Sequence, residues 1–178
     1  MTVRLTGYRA SMSHLPVNHA ARPVLRVLLV GIGLFILTFG VLGLITSWGS
    51  SFFDRGEHHA FWLQTNPAFS LLSIVTGLAM IGAAIYGRNA DHYLALVGGA
   101  IFLLAGVIMM AVLHTEANLL NFSLANCTTS MVIGLLLTLI GLYTKTGTEE
   151  DAEEEEKFRH GGVGREEFAE RTHGLDRR

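Results

Sequence analysis

Two runs of polar residues interrupt otherwise apolar segments, and both have helical spacing. Asn66, Ser70, Ser73 and Gly77 fall at i, i+4, i+7 and i+11. Asn126, Ser130 and Gly134 fall at i, i+4 and i+8, with Thr129 beside them. Such spacing places each set on one helix face. Amides and hydroxyls in an apolar setting serve one of two ends. They hydrogen-bond to a neighbouring helix, at about 0.6–2 kcal/mol per bond in lipid, while glycines let the backbones approach. Alternatively they line a small polar cavity that receives a solute or a lipid. The first use implies a packing seam between the second and fourth apolar segments. The second implies a cavity between those segments, open to the outside.

Other reactive side chains suggest less. Eight histidines invite a haem or metal site. His92 and His114 lie at opposite ends of one apolar segment, roughly 33 Å apart along a helix, so they cannot share a ligand. His58, His59, His114 and Glu116 gather on one side but lack the spacing of zinc motifs; they read as interfacial residues. Cys127 is the one cysteine, so no intramolecular disulfide forms; it reads as a packing residue. No ionisable residue stands deep in an apolar segment, which argues against a proton-coupled transporter. No cofactor or metal is expected, and the chain reads as non-enzymatic.

The elements that must position these residues are read from charge. Residues 27–53, 63–87, 93–113 and 117–144 contain no Lys, Arg, Asp or Glu. About 20 apolar residues cross the hydrocarbon core as a helix, and all four stretches are long enough. Charged residues make up 16% of the chain against about 25% in soluble domains. The expectation is an all-α four-transmembrane-helix bundle, with spans near 24–47, 66–86, 93–113 and 122–143. Pro23 and Asn66-Pro67 suit helix starts. The first run is too long for a signal-peptide core and reads as a retained span. The formal net charge of −2 offers nothing to nucleic acid.

Lys and Arg flank the first span's start, the second gap and the last span's end. That bias puts both termini in the cytoplasm of a multi-pass plasma-membrane protein. Trp48, Phe52, Phe53, Phe61 and Trp62 crowd the first gap, where a short interfacial helix is expected. Small residues in the first and third spans (Gly33, Gly40, Gly43, Ala95, Gly98, Gly99, Ala105, Gly106) suggest tight packing or dimerisation. Spans one–two and three–four read as two hairpins in an approximate parallel repeat.

The span order resembles an uncharacterised family of four-helix bacterial membrane proteins, frequent in actinobacteria, known as a domain of unknown function. The likeness covers roughly residues 24–145 and rests on Asn66, the segment N-P-A-F-S-L-L-S-I-V-T-G and Gly77, with Asn126 and Gly134 at span four. Family members often carry His where this chain has Phe69 and Ser73, and Thr129 or Ser130. The resemblance supplies no established activity.

Residues 1–23 form a basic tail and 146–178 a charged one, in which Glu149–Glu156 holds seven acids. Both read as disordered, the second partly helical and suited to a basic partner, the first lying near anionic lipid. The leading expectation is an accessory or structural subunit that associates laterally as a homo-oligomer or in a larger membrane complex. The alternative is a protein that binds or transports a small solute or lipid through the polar cavity.

Overall fold

The computed structural model describes residues 16–148, so the readings for 1–15 and 149–178 lie outside the described residues. Four helices carry the fold: α1 Arg22–Thr46, α2 Pro67–Tyr86, α3 Ala90–Val112 and α4 Leu124–Tyr143. All four are long and apolar enough to cross a membrane. The chain is a multi-pass membrane protein with an all-α four-helix bundle.

Local chemistry sets the helix limits. Pro23 sits in the first turn of α1, where its missing N–H is not needed. The Asn66 side chain caps α2 by accepting the Phe69 N–H at 2.8 Å, and Pro67 follows it. At α4, Ser123 and Asn126 form a reciprocal capping box. Between α2 and α3 the chain reverses through Gly87, Arg88 and Asn89, all at positive φ. The α2–α3 turn, the start of α1 and the end of α4 lie at one end of the bundle, here the terminal end. The α1–α2 and α3–α4 loops lie at the other, the loop end.

The helices pack as two tight pairs, α1 with α2 and α3 with α4, and the pairs touch each other sparsely. No Cα of α2 comes within 8 Å of a Cα of α4. The expected seam between the second and fourth spans is therefore replaced by two seams, one inside each hairpin. The cause is glycine. A methyl group on Gly77 would stand 2.7 Å from the Gly33 carbonyl oxygen, and one on Gly134 would stand 3.0 Å from that of Gly99. Seven residues along, Gly40 meets the Ser70 carbonyl and Gly106 meets that of Cys127. Backbones this close tie the glycines of each stripe to the partner helix of their own hairpin.

These contacts also give the repeat a register. An offset of 66 carries α1 onto α3 (33 to 99, 40 to 106), and 57 carries α2 onto α4 (77 to 134, 70 to 127). The offset of 57 also maps the cap Asn66 onto the cap Ser123. Asn126 is thus the counterpart of Phe69, not of Asn66. Leu29, Met80, Ala95, Leu137 and Ile140 fill the shared core.

The first loop is not the expected interfacial helix. It is a two-stranded ribbon, β1 His59–Ala60 and β2 Leu63–Gln64, with Ala60 opposite Leu63. Phe61 and Trp62 form its tip, Phe61 at φ +56°. Ala60 and Leu63 pack on Phe39 of α1. The Phe61 and Trp62 rings stack on Phe35, at 5.8 and 6.1 Å between centroids. Phe35 lies eleven residues before the end of α1, about 16 Å down the helix. The loop therefore folds back along the flank of α1. A ribbon pairs part of its own backbone, which suits it to apolar depth.

Candidate functional site

The eight residues of the two polar stripes do four different things. Gly77 and Gly134 are the helix crossings already described. Ser70 bonds to the Thr65 hydroxyl at 2.9 Å in the hole left by Gly43. Asn66 and Asn126 form a latch between the two loops. The Asn66 amide donates to the carbonyls of Asp54 and Leu119, at 3.1 and 2.8 Å. Asn126 accepts from the Gln64 N–H and donates to the Gln64 carbonyl, at 3.0 and 2.9 Å. Asn121 adds donors to the carbonyls of Gly56 and Thr65.

The remaining three, Ser73, Thr129 and Ser130, border a chamber of about 380 Å³ between the hairpins. The repeat explains its position. Its walls contain counterpart pairs from both halves: Phe35 with Ile101, Phe39 with Ala105, Leu63 with Leu120, Phe69 with Asn126, Ser73 with Ser130. The chamber straddles the axis that relates the hairpins. Leu63 matches Leu120 and Ser73 matches Ser130, while the three pairs that contain a phenylalanine diverge. The first hairpin brings phenyl rings where the second brings a small, branched or polar side chain. Phe39 and Phe69 pack edge to face at 5.1 Å, and Phe69 leans on Phe122 at 4.8 Å. No charged residue lines the chamber. The expected cavity is thus far less polar than its stripes suggested, because Asn66 and Ser70 point elsewhere.

Leu72, Val75, Val97 and Ile101 rim the chamber between α2 and α3, and all four are exposed on the outer surface of the bundle. The opposite flank, between α1 and α4, is where the ribbon packs, with Phe61 and Trp62 over Phe35. The two flanks are repeat counterparts, and only one carries a plug.

The three hydroxyls are also unusual in their bonding. Thr76, Thr128, Thr138 and Thr144 each donate to the carbonyl four residues back. Ser73, Thr129 and Ser130 make no hydrogen bond within the described residues. Ser73 is 4% exposed and Ser130 7%.

At the terminal end the pairs are clamped by charge. Asp91 is fully buried and meets Arg22 at 3.0 Å and Arg26 at 3.4 Å. Arg22 also donates to the Thr144 carbonyl, and Arg26 to that of Ala84. His92 bonds to the Gly141 carbonyl at 2.6 Å. Arg26–Ala84 and His92–Gly141 are repeat counterparts. His92 was expected to be an ordinary interfacial histidine, but it is buried because it ties α3 to α4. Asp91 escaped the sequence reading because it sits beside Arg88 in what looks like a loop. The available signal was a lone acid two residues before an apolar span, at the end of the bundle where Arg22 and Arg26 stand.

The loop-end histidines and acids pair separately. His58 bonds to Asp54 at 2.9 Å, and Glu116 pairs with Arg55 at 3.0 Å. The His58 hydrogen bond, helped by the Gly56 N–H, holds the Asp54 carboxyl below its ordinary value. Among the described residues no three His, Cys, Asp or Glu stand together as a metal-ion site.

Residues 26–143 match the family described as Domain of unknown function (DUF4383), and the chain belongs to that family. The resemblance to an uncharacterised family therefore holds. No curated protein and no solved structure matches the chain.

Proposed function

We propose that this protein binds a lipophilic molecule from the bilayer in the chamber between its hairpins, without chemically transforming it. The observation that supports the reading is the chamber itself: about 380 Å³, walled by apolar side chains and uncharged. That volume falls within the usual range of ligand pockets, and apolar walls with few polar groups are their usual lining. The rim between α2 and α3 lies on the surface that faces lipid in a membrane-spanning bundle, so a guest enters sideways. Lateral entry needs no aqueous path. In this reading the terminal end, with Arg22, Arg26, Arg88 and Lys145, faces the cytoplasm, and the loop end faces out across the plasma membrane.

Lateral association, as an accessory subunit, is the second reading. Most glycines that motivated it are occupied inside the hairpins. Gly31 and Gly82 have open space beside them, and they are its remaining support. Sizing in mild detergent tests it.

Gly98 provides the test of binding. It borders the chamber, and a methyl group there would meet only Leu137 and Met80, at 3.6 and 3.8 Å. Leucine at this position projects into the chamber without forcing a helix crossing. Native mass spectrometry of the wild type, purified from its own membranes, should show one small lipophile per chain. The Gly98→Leu variant, equally folded, should lose it. A wild type without a guest, or a variant that keeps it, overturns the reading.

A further inference from the structure

The chamber's chemistry narrows the guest further, given that it binds one at all. We infer that the guest is a neutral ring lipid of the prenylated quinone class, its carbonyl oxygens accepting hydrogen bonds from the hydroxyls of Ser73, Thr129 and Ser130.

Three independent features lead there. First, the guest is neutral where it is enclosed. No charged side chain lines the chamber, and an unpaired phosphate in an apolar enclosure carries a large desolvation cost. A phospholipid headgroup is therefore a poor occupant. Second, the guest carries a hydrogen-bond acceptor. Three hydroxyls face the chamber and bond to nothing else among the described residues. Neighbouring helix hydroxyls satisfy themselves on the carbonyl four residues back. A hydroxyl beside the guest gains a bond only from an acceptor, and a saturated acyl chain offers none. Third, the guest is flat. On the α1–α4 flank the chain lays its own rings, Phe61 and Trp62, over Phe35 in stacked contact. The counterpart of Phe35 on the α2–α3 flank is Ile101, exposed at the chamber's rim. Aromatic partners favour offset or edge contacts with other rings, and the phenyl wall of the first hairpin supplies them. A ring seated between that wall and the hydroxyls sends its flexible tail out past Ile101 into the bilayer.

The experiment uses Trp62 as reporter, because its ring stacks on the Phe35 that walls the chamber. Trp48→Phe leaves Trp62 as the sole tryptophan. The full chain in phosphatidylcholine nanodiscs is titrated with a naphthoquinone bearing two prenyl units, and fluorescence quenching is followed. Saturable quenching near one per chain is expected. It should weaken about tenfold in Ser73→Ala/Ser130→Ala, as two lost neutral hydrogen bonds imply, and vanish in Gly98→Leu. Thr129→Val, which keeps the side-chain shape, gives a smaller loss and guards against misfolding of the double variant. An open-chain prenyl alcohol of equal length should not compete. Quenching that stays linear, is equal in the hydroxyl variants, or is displaced equally by the prenyl alcohol overturns the inference. If the naphthoquinone fails while Gly98→Leu still loses the native guest, the ring assignment falls and lipophile binding stands.

Discussion

The two hairpins share a frame and differ in what they hang on it. Both cross at a glycine pair, Gly33 with Gly77 and Gly99 with Gly134. Both begin the returning helix with a side-chain cap, Asn66 or Ser123. Both tie the terminal end with a bond from the outgoing helix to a carbonyl of the returning one, through Arg26 or His92. These repeated features hold a helix pair together. The unrepeated ones join the pairs or shape the space between them: Asp91, the ribbon and the phenyl wall of the first hairpin. Divergence within a repeat therefore separates what this molecule needs to fold from what it needs to bind.

The largest expected effect comes from an unrepeated contact. Asp91→Ala leaves the Arg22 and Arg26 charges without their buried partner and should cost about 3–5 kcal/mol, read by denaturant unfolding in detergent. The register puts Leu25 at the equivalent place in the first hairpin, so no matching ion pair exists there. A cost below that of an exposed pair would remove the clamp from the account. Next come the crossings. Gly77→Ala and Gly134→Ala should each lose about 1–3 kcal/mol, the cost of overpacking, and by similar amounts. Gly31→Ala, in open space, should be neutral or gain from helix propensity. Unequal losses at Gly77 and Gly134 would break the equivalence of the hairpins. The caps sharpen it: Ser123→Ala should cost about 1 kcal/mol. Asn66→Ala should cost about twice that, because it also strands the carbonyls of Asp54 and Leu119.

The smallest effect is a pH response confined to the long loop. Asp54 has its carboxyl held below the ordinary 3.8 by His58. Its contribution is thus complete above that value and fades as pH falls through the lowered one. Amide exchange at Gly56, which donates to Asp54, should accelerate below about pH 4. Asp54→Asn should flatten that dependence.

Charge-free length made the four spans legible, and Asn66-Pro67 marked a helix start correctly. The repeat was visible as a pattern of small residues, but its register was not. Asn126 resembles Asn66 in type, and only the caps and crossings show that Ser123 is the true counterpart. Partnerships were the hidden part. A stripe gives a face but not the neighbour it meets, so Ser70 and Ser73 looked alike until Gly43 took one and the chamber the other. Gly98 and Gly99 likewise looked like one motif, yet Gly99 packs against Thr138 and Gly134 while Gly98 borders open space. The ribbon was missed because exposed aromatics near a membrane suit an interfacial helix equally well. Its backbone pairing depends on Gln64 meeting Asn126, 62 positions away.

The difference between two serines tests the central claim most directly. Cysteines are placed singly at Ser70 and Ser130 in a Cys127→Ala background, and a lipid-soluble maleimide is added to proteoliposomes. Ser130→Cys borders the chamber and should react. Ser70→Cys is packed against Gly43 and Thr65 and should not, while Leu78→Cys on the outer face marks full reaction. Adding Gly98→Leu should suppress the Ser130→Cys reaction alone. Equal labelling of both serine positions, or none at Ser130→Cys, would contradict a chamber open to the bilayer between the hairpins.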